Sequence, residues 1–154
     1  MTLPLERHFQ IAYATNDLDQ AKTLFAERFA IRDWITPPVP QNGGADRAAL
    51  AWKGNGQFEL VEPGPAGNSV YRNWLREDGG FALRLHHLGY IVEAPFDGIP
   101  MACDRAGYPV AFDSGPQSVG RWLFADSHQA LGHYLEFVML TDAGRAFDRS
   151  IPRN

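Results

Sequence analysis

Apolar and polar residues follow two rhythms along this chain, a period near two and a period near 3.6, and the rhythms recur in the same order twice. Apolar residues and β-formers dominate RHFQIAYAT, which predicts a strand from His8 to Ala14. Asn16 and Asp17 then supply N-cap chemistry. Apolar Leu18, Ala21, Leu24, Phe25 and Phe29 follow at helical spacing within DLDQAKTLFAERFAI. A short strand is expected near Arg32 to Thr36, stopped by Pro37, Pro38 and Pro40. After the loop QNGGAD, RAALAWK and QFELVE read as two strands joined by the turn-forming GNG. The order is β-α-β-β-β.

Residues 63–84 interrupt this pattern. PGPAGN is rich in turn formers, and SVYRNWLRED predicts a short helix closed by Gly79 and Gly80. The order then returns. LHHLGYIV predicts a strand and Phe96 to Ala106 a helix ending at Gly107, while YPVAFDS, GRWLFAD and GHYLEFVML predict three more strands. TDAGRAFDRSIPRN reads as a polar tail that starts with a helical turn. The expected architecture is α+β, one domain over 1–154. Module one spans 5–62, the linker 63–84, module two 85–140 and the tail 141–154. Four strands make only an open half-barrel with two edges, so the modules are expected to join as a curved, half-open mixed sheet around a cleft.

Composition narrows the function. The chain has 154 residues, 45% hydrophobic and 21% charged, which is ordinary for a soluble globular protein. A net charge of −4 gives no footing for nucleic acid or an anionic membrane. No stretch approaches the roughly 18 consecutive apolar residues of a membrane span. MTLPLERHFQ lacks the basic start and apolar run of a signal peptide. The single cysteine, Cys103, sits in the helical pattern PMACDRAGY and reads as a small core residue. A cytoplasmic location is the expectation.

The repeat also registers four polar residues. His8 opens the first strand of module one and Glu59 sits in its last; His87 and Glu136 hold the same places in module two. Glu59 follows His8 by 51 positions and Glu136 follows His87 by 49. Alternation puts Tyr134, Glu136 and Val138 on one face of their strand, and sets Glu59 and Val61 against Phe58 and Leu60. A carboxylate among apolar neighbours in a half-buried strand needs a counter-charge or a hydrogen-bond partner, and one divalent ion answers that need at both places. Two imidazoles and two carboxylates without thiolate suit Zn, Ni, Co, Mn or Fe(II) in catalytic use. Glu62 and His86 are the neighbouring alternatives, separated from Glu59 and His87 by strand register alone.

These residues resemble the vicinal oxygen chelate superfamily, which includes glyoxalase I, methylmalonyl-CoA epimerase, extradiol dioxygenases and bleomycin-resistance proteins. The likeness runs through HFQIAYATNDLDQAKTLFAERFAI, QFELVEP, LHHLGYIVE and GRWLFADSHQALGHYLEFV. It implies paired βαβββ modules that present metal ligands, His or Gln and Glu, on their first and last strands, mapping to His8, Glu59, His87 and Glu136. It also selects His87, which stands immediately before the Leu-Gly pair, over His86. The chemistry implied is a metal ion acting as Lewis acid on an enolate-like intermediate, with Glu136 or Glu59 as the base and Glu136 preferred. Methylmalonyl-CoA epimerase carries a further glutamate base upstream of the first-module glutamate, and PQNGGAD here holds none. The resemblance therefore implies a glyoxalase-like, metal-dependent lyase or isomerase acting on a small oxygenated substrate. An extradiol-type dioxygenase and a non-catalytic small-molecule binding or resistance protein are the alternatives.

Trp52, Tyr90, Arg121, Trp122 and Tyr134 are the expected pocket residues, with Phe124 nearby. Arg47 and Arg84 are further candidates for a substrate anion. His128 and His133 read as loop histidines, His133 with a supporting role. Open strand edges make a homodimer the expected assembly.

Overall fold

A computed structural model describes residues 2–38, 46–67, 69–75, 79–93 and 95–154. Among them, seven strands and five helices form an α+β fold. The order is β1 (His8–Thr15), α1 (Leu18–Phe29), β2 (Arg47–Lys53), β3 (Gly56–Glu62), α2 (Ser69–Arg72), β4 (Leu83–Ile91), α3 (Gly98–Arg105), β5 (Val110–Asp113), β6 (Gly120–Ala125), α4 (His128–Leu131), β7 (Tyr134–Leu140) and α5 (Asp142–Ser150). The strands are hydrogen-bonded in the order β2-β3-β1-β4-β7-β6-β5 as a mixed sheet, with β4 and β7 parallel. The chain divides into two compact units, one of Met1–Gln10 and His87–Arg149, the other of Ile11–His86 and Ser150–Asn154. The expected linker 63–84 lies inside the second of these.

In the unit of Ile11–His86 and Ser150–Asn154, Asp17 caps α1 as its sequence position predicts, its carboxylate accepting from the Gln20 amide at 2.9 Å. The apolar stripe of α1 buries Leu18, Ala21 and Phe25 against Ala49, Ala51 and Leu60 of β2 and β3. Phe25 is the hub, its ring meeting the edges of Tyr13, Phe29, Trp34 and Phe58 at 5.2–5.8 Å. Burying a ring of this size stabilises the fold by about 1.5–3 kcal/mol. The helix closes at Ala30 in the left-handed region, with φ of 53°.

The strand expected at Arg32 to Thr36 is reduced to a single bridge, Ile35 with Leu50, whose two hydrogen bonds measure 3.0 and 2.9 Å. Pro37 and Pro38 follow at once and offer no N–H, so the ladder cannot continue. Pro40 and most of QNGGAD lie outside the described residues. The helix at SVYRNWLRED is one turn, Ser69–Arg72, and its expected end at 76–78 also lies outside them. The polar tail carries more structure than one turn, because α5 runs for nine residues. Beyond it Trp52 donates its amide to the Pro152 carbonyl at 2.8 Å and accepts from the Asn154 amide at 3.0 Å. The Asn154 side chain takes the Arg32 and Asp33 amides at 2.7 and 2.9 Å.

In the unit of Met1–Gln10 and His87–Arg149, β7 lies between β4 and antiparallel β6, with β5 outside. Alternation sends Leu123, Leu135 and Phe137 to the face covered by α3, where Ile99 and Cys103 join them with Val92, Phe96 and Ala125. The opposite face carries Trp122 and Phe124 from β6 and Tyr134, Glu136 and Val138 from β7, paired across the strands as Trp122 with Val138 and Phe124 with Glu136.

Candidate functional site

The chemistry of this unit gathers on the face that α3 leaves uncovered. Glu136 is 6% exposed and His87 is completely buried, although a charged or polar side chain in a strand centre is unusual. Their side chains meet, His87 Nε2 lying 3.3 Å from Glu136 Oε2. The parallel register explains the meeting: His87 stands opposite Tyr134 and Gly89 opposite Glu136, so all four positions share one face. Phe124 packs against the His87 ring at 4.8 Å and fixes its plane.

A third polar group completes the cluster, and sequence reasoning missed it. Gln10 of β1 is 6% exposed, and its Oε1 lies 3.1 Å from the same His87 Nε2. Glycine at position 89 makes room for the convergence. A Cβ there would fall 2.9 Å from Gln10 Cβ and 3.0 Å from Glu136 Oε2. Two signals were available: its polarity in an otherwise apolar strand, and a resemblance that admits Gln as well as His on the first strand.

The four registered residues are placed as follows. His87 and Glu136 are in contact. His8 is exposed, its Nε2 against the Gln10 backbone carbonyl at 3.0 Å and its ring 5.4 Å from Tyr90. Glu59 lies in the other compact unit, 5% exposed on β3 opposite Leu50, sharing its face with Gln57 and Trp52. Phe58 and Leu60 turn to the α1 side, as alternation requires. His86 points into a different environment from His87, stacked on Tyr71 at 4.3 Å with Nε2 3.2 Å from the Val70 carbonyl.

Among the described residues no three His, Cys, Asp or Glu side chains form a ready cluster for a metal. The donor set that does assemble mixes one imidazole nitrogen, one carboxylate oxygen and one amide oxygen. It fits a divalent ion on two counts. These donors are borderline to hard. In addition, His87 Nε2 faces Gln10 Oε1 at 3.1 Å and Glu136 Oε2 at 3.3 Å, the spacing of donors that share one cation. Ligands about 2.1 Å from an ion stand about 3.0–3.4 Å from one another in octahedral to tetrahedral shells.

Of the expected pocket residues, Trp122 and Tyr134 share the face of Glu136. Tyr90 pairs with Phe137 and packs on the α3-side core, and burial raises its phenol above the ordinary value. Tyr134 is raised as well, by burial first and the charge of Asp126 second. Arg121 also lies on the α3 side. It binds Asp113 at 2.6 and 3.0 Å and Asp97 at 3.1 Å, and stacks over Phe96, so two carboxylates already occupy its fork. Trp52 sits under the Pro152–Asn154 segment with Arg153 over its ring at 4.8 Å.

The remaining basic candidates are similarly engaged. Arg47 holds Asp19 at 3.1 Å and Glu62 at 3.2 Å, which raise its pKa. Arg84 donates to the Trp74 carbonyl at 2.8 Å and lies over that indole. His128 pairs with Asp126, and His133 Nδ1 contacts the Tyr134 carbonyl at 2.8 Å.

No protein-family model matches the sequence, and no curated protein matches it. Solved structures do match. A Streptomyces coelicolor methylmalonyl-CoA epimerase variant in complex with 2-nitronate-propionyl-CoA superposes with a TM-score of 0.66 at 21% identity, covering 89% of this chain and 99% of that one. Methylmalonyl-CoA epimerase from Mycobacterium tuberculosis gives 0.67 at 16% identity, covering 95% of each chain. A hypothetical protein from Bacillus halodurans gives 0.64 at 14%, covering 88% of this chain and 95% of its own. At these identities the likeness is one of fold, the vicinal oxygen chelate fold. No helix among the described residues is long and apolar enough to cross a membrane.

Proposed function

We propose that the chain is a metal-dependent enzyme of the isomerase or lyase type, moving a proton on carbon next to a carbonyl of a small oxygenated substrate. The observation that carries this reading is the buried His87–Glu136 pair with its 3.3 Å contact, on a fold shared with epimerases that act at such a carbon. A divalent ion at this place would act as a Lewis acid on the substrate's carbonyl oxygen. His87 and Glu136 would hold it.

The chain's own residues supply the rest. Glu136 is the base that takes the α-proton and returns it, because its carboxylate stands at the centre of the face and Glu59 is the weaker candidate. Phe124, Trp122 and Tyr134 wall the same face with aromatic surface, which keeps water from the proton in transit and lowers the local dielectric. Acyl thioesters are the first substrate class to offer, since a complex with methylmalonyl-CoA is among the matching folds. A glyoxalase-like reaction on a hemithioacetal is the second.

The test is solvent exchange. The protein is loaded in turn with Zn, Ni, Co, Mn and Fe(II) in D2O and given methylmalonyl-CoA or a hemithioacetal, and α-proton loss is followed by NMR. Metal-dependent exchange on one of them supports the reading. A chain that binds none of the five ions overturns it. The proposal includes a homodimer built through the outer strands, of which β5 exposes Val110. A 17 kDa species in size-exclusion chromatography at micromolar concentration counts against that assembly.

A further inference from the structure

The row of side chains that carries Glu136 ends in a second pair of titratable groups, one that the reading above does not use. Trp122 and Phe124 of β6 stand across from Val138 and Glu136 of β7, and alternation beyond the end of β6 continues their row with Asp126. The contacts agree. Asp126 Oδ1 accepts from His128 Nδ1, and the His128 ring lies 5.4 Å from the ring of Tyr134. Burial, and then the charge of Asp126, raise the Tyr134 phenol. All of these groups belong to one compact unit.

The loop that bears the pair is built to hold it. The Asp126 amide donates to the Pro109 carbonyl at 2.8 Å, Ser127 Oγ donates to the His133 carbonyl at 2.7 Å, and the Gly132 amide returns to the His128 carbonyl at 2.9 Å. With Nδ1 bound to a carboxylate, the proton chemistry of the ring falls to Nε2. Beside the pair opens a pocket of about 270 Å³ whose walls include Tyr108, Ser127, Gln129 and the pair itself. Here the aromatic wall around Glu136 gives way to polar side chains and solvent, the His128 and Asp126 side chains being 33% and 36% exposed.

Tyr134 and Glu136 are neighbours in the row, about 6.8 Å apart along the strand. His128 packs against the first of them, so a small carbonyl compound laid along the row reaches from the Glu136 carboxylate to the His128 ring. Both groups rise from one face of one sheet and meet such a compound from the same side. Inversion at a single carbon needs groups on opposite sides. Removal of a proton from one atom and delivery of another to its neighbour is served from one.

We propose that His128, oriented by Asp126, is a catalytic acid of this site, and that the reaction it serves is elimination of water from a β-hydroxy carbonyl compound. The inference rests on the reading of Glu136 as the base for the α-proton. The Cα–H bond breaks, Glu136 takes the proton, and the electron pair forms the Cα–Cβ double bond. The Cβ–O bond breaks with its pair on oxygen, which takes the Nε2 proton of the imidazolium and departs as water. Glu136 then gives its proton to solvent and His128 regains one through the pocket, so both return to their starting states and no redox partner is needed.

β-Hydroxybutyryl-CoA, each enantiomer in turn, is the probe, given to protein loaded with the same five ions. Crotonyl-CoA formation is followed by the absorbance of its conjugated double bond. His128→Gln is expected to cut this elimination by about 10²–10⁴-fold, the share of a positioned general acid. It is expected to cut α-proton exchange on methylmalonyl-CoA, which has no hydroxyl to lose, far less. Asp126→Asn is expected to slow elimination and to shift the neutral ring's proton away from Nδ1. Nitrogen chemical shifts of the His128 ring, assigned through His128→Gln, read that change, which a loss of packing alone would not produce. Wild-type protein that exchanges an α-proton but forms no crotonyl-CoA overturns this proposal alone. So does His128→Gln that eliminates as fast as wild type, or that loses elimination and exchange equally. Protein that does neither with any of the ions overturns the proton-transfer reading and this inference with it. Should His128→Gln fail to fold, Asp126→Asn decides: slower elimination supports the proposal and unchanged elimination overturns it.

Discussion

Gly89 stands directly across from Glu136 in the parallel pairing of β4 and β7, and the side chain that Gly89 lacks is the space that the Glu136 carboxylate occupies. Gly89→Ala would put a methyl 3.0 Å from Glu136 Oε2 and 2.9 Å from Gln10 Cβ, closer than such atoms settle, with strands on both sides limiting relief. Overpacking of this kind costs about 1–3 kcal/mol. Urea denaturation is expected to show that loss, and Co(II) titration a weaker site.

The two carboxylates separate by substitution. Glu136→Gln is expected to cut α-proton exchange by about 10²–10⁴-fold, the contribution of a positioned general base. Glu59→Gln is expected to cut it less. Exchange rates in D2O for both variants, each loaded with the ion that supports wild-type turnover, check the order. Equal losses would remove the preference for Glu136 as the base.

Ala30 closes α1 at φ 53°, a conformation that costs an L-residue with a side chain about 1–2 kcal/mol. No such cost attaches to glycine, although glycine gives back part of the gain by loosening the unfolded chain. Ala30→Gly is therefore expected to leave stability unchanged or raise it by up to about 1 kcal/mol, read from the urea midpoint. Ala30→Val is expected to lower it.

Arg121 holds Asp113 below its ordinary carboxyl pKa of 3.8, chiefly through their hydrogen bonds. A depressed carboxyl stabilises the fold at pH values above the unfolded pKa, and the contribution disappears as pH falls through the folded one. Thermal melts of wild type and Arg121→Met from pH 7 to pH 2 are expected to differ most near neutrality. The gap should narrow once pH drops below 3.8.

Cys103 is completely buried and its thiol is pushed up to about 11, by burial first and by the charge of Asp104 next. Since the thiolate is the reactive form, a thiol reagent at pH 8 is expected to label the folded chain far more slowly than the chain in urea. Fast labelling without denaturant would contradict the packing of α3 on β6 and β7.

Elements with a strong period were legible in the sequence, and the exceptions have physical causes. The α1 stripe and its Asp17 cap, the hairpin of β2 and β3, and the strands β4, β6 and β7 follow local patterning that tertiary packing reinforces. The strand at 32–36 shrinks to the Ile35 bridge because the Arg32 and Asp33 amides go to the side chain of Asn154, more than 120 positions away, and two prolines withhold donors just beyond it. Helix α5 was under-read because TDAGRAFDRS is polar and its helical period carries few apolar residues.

At the candidate site, registration pointed to Glu136 and to the His86–His87 pair, the resemblance chose His87, and the structure brings His87 and Glu136 into contact. Gln10 was not singled out, because only a three-dimensional register brings it beside residue 87, 77 positions away. Arg121 was over-read for the converse reason: its partners Asp97 and Asp113 lie on other elements, and sequence gives no sign that they converge.

The adjacent histidines of β4 have one more use. His86 lies flat against Tyr71, within reach of that ring's magnetic anisotropy, while His87 is held between Gln10, Glu136 and Phe124. In a spectrum of imidazole-labelled protein, one ring would respond to whatever enters the site. Its neighbour in the chain would report only whether the fold beneath α2 is intact, so that a single sample carries both the signal and its reference.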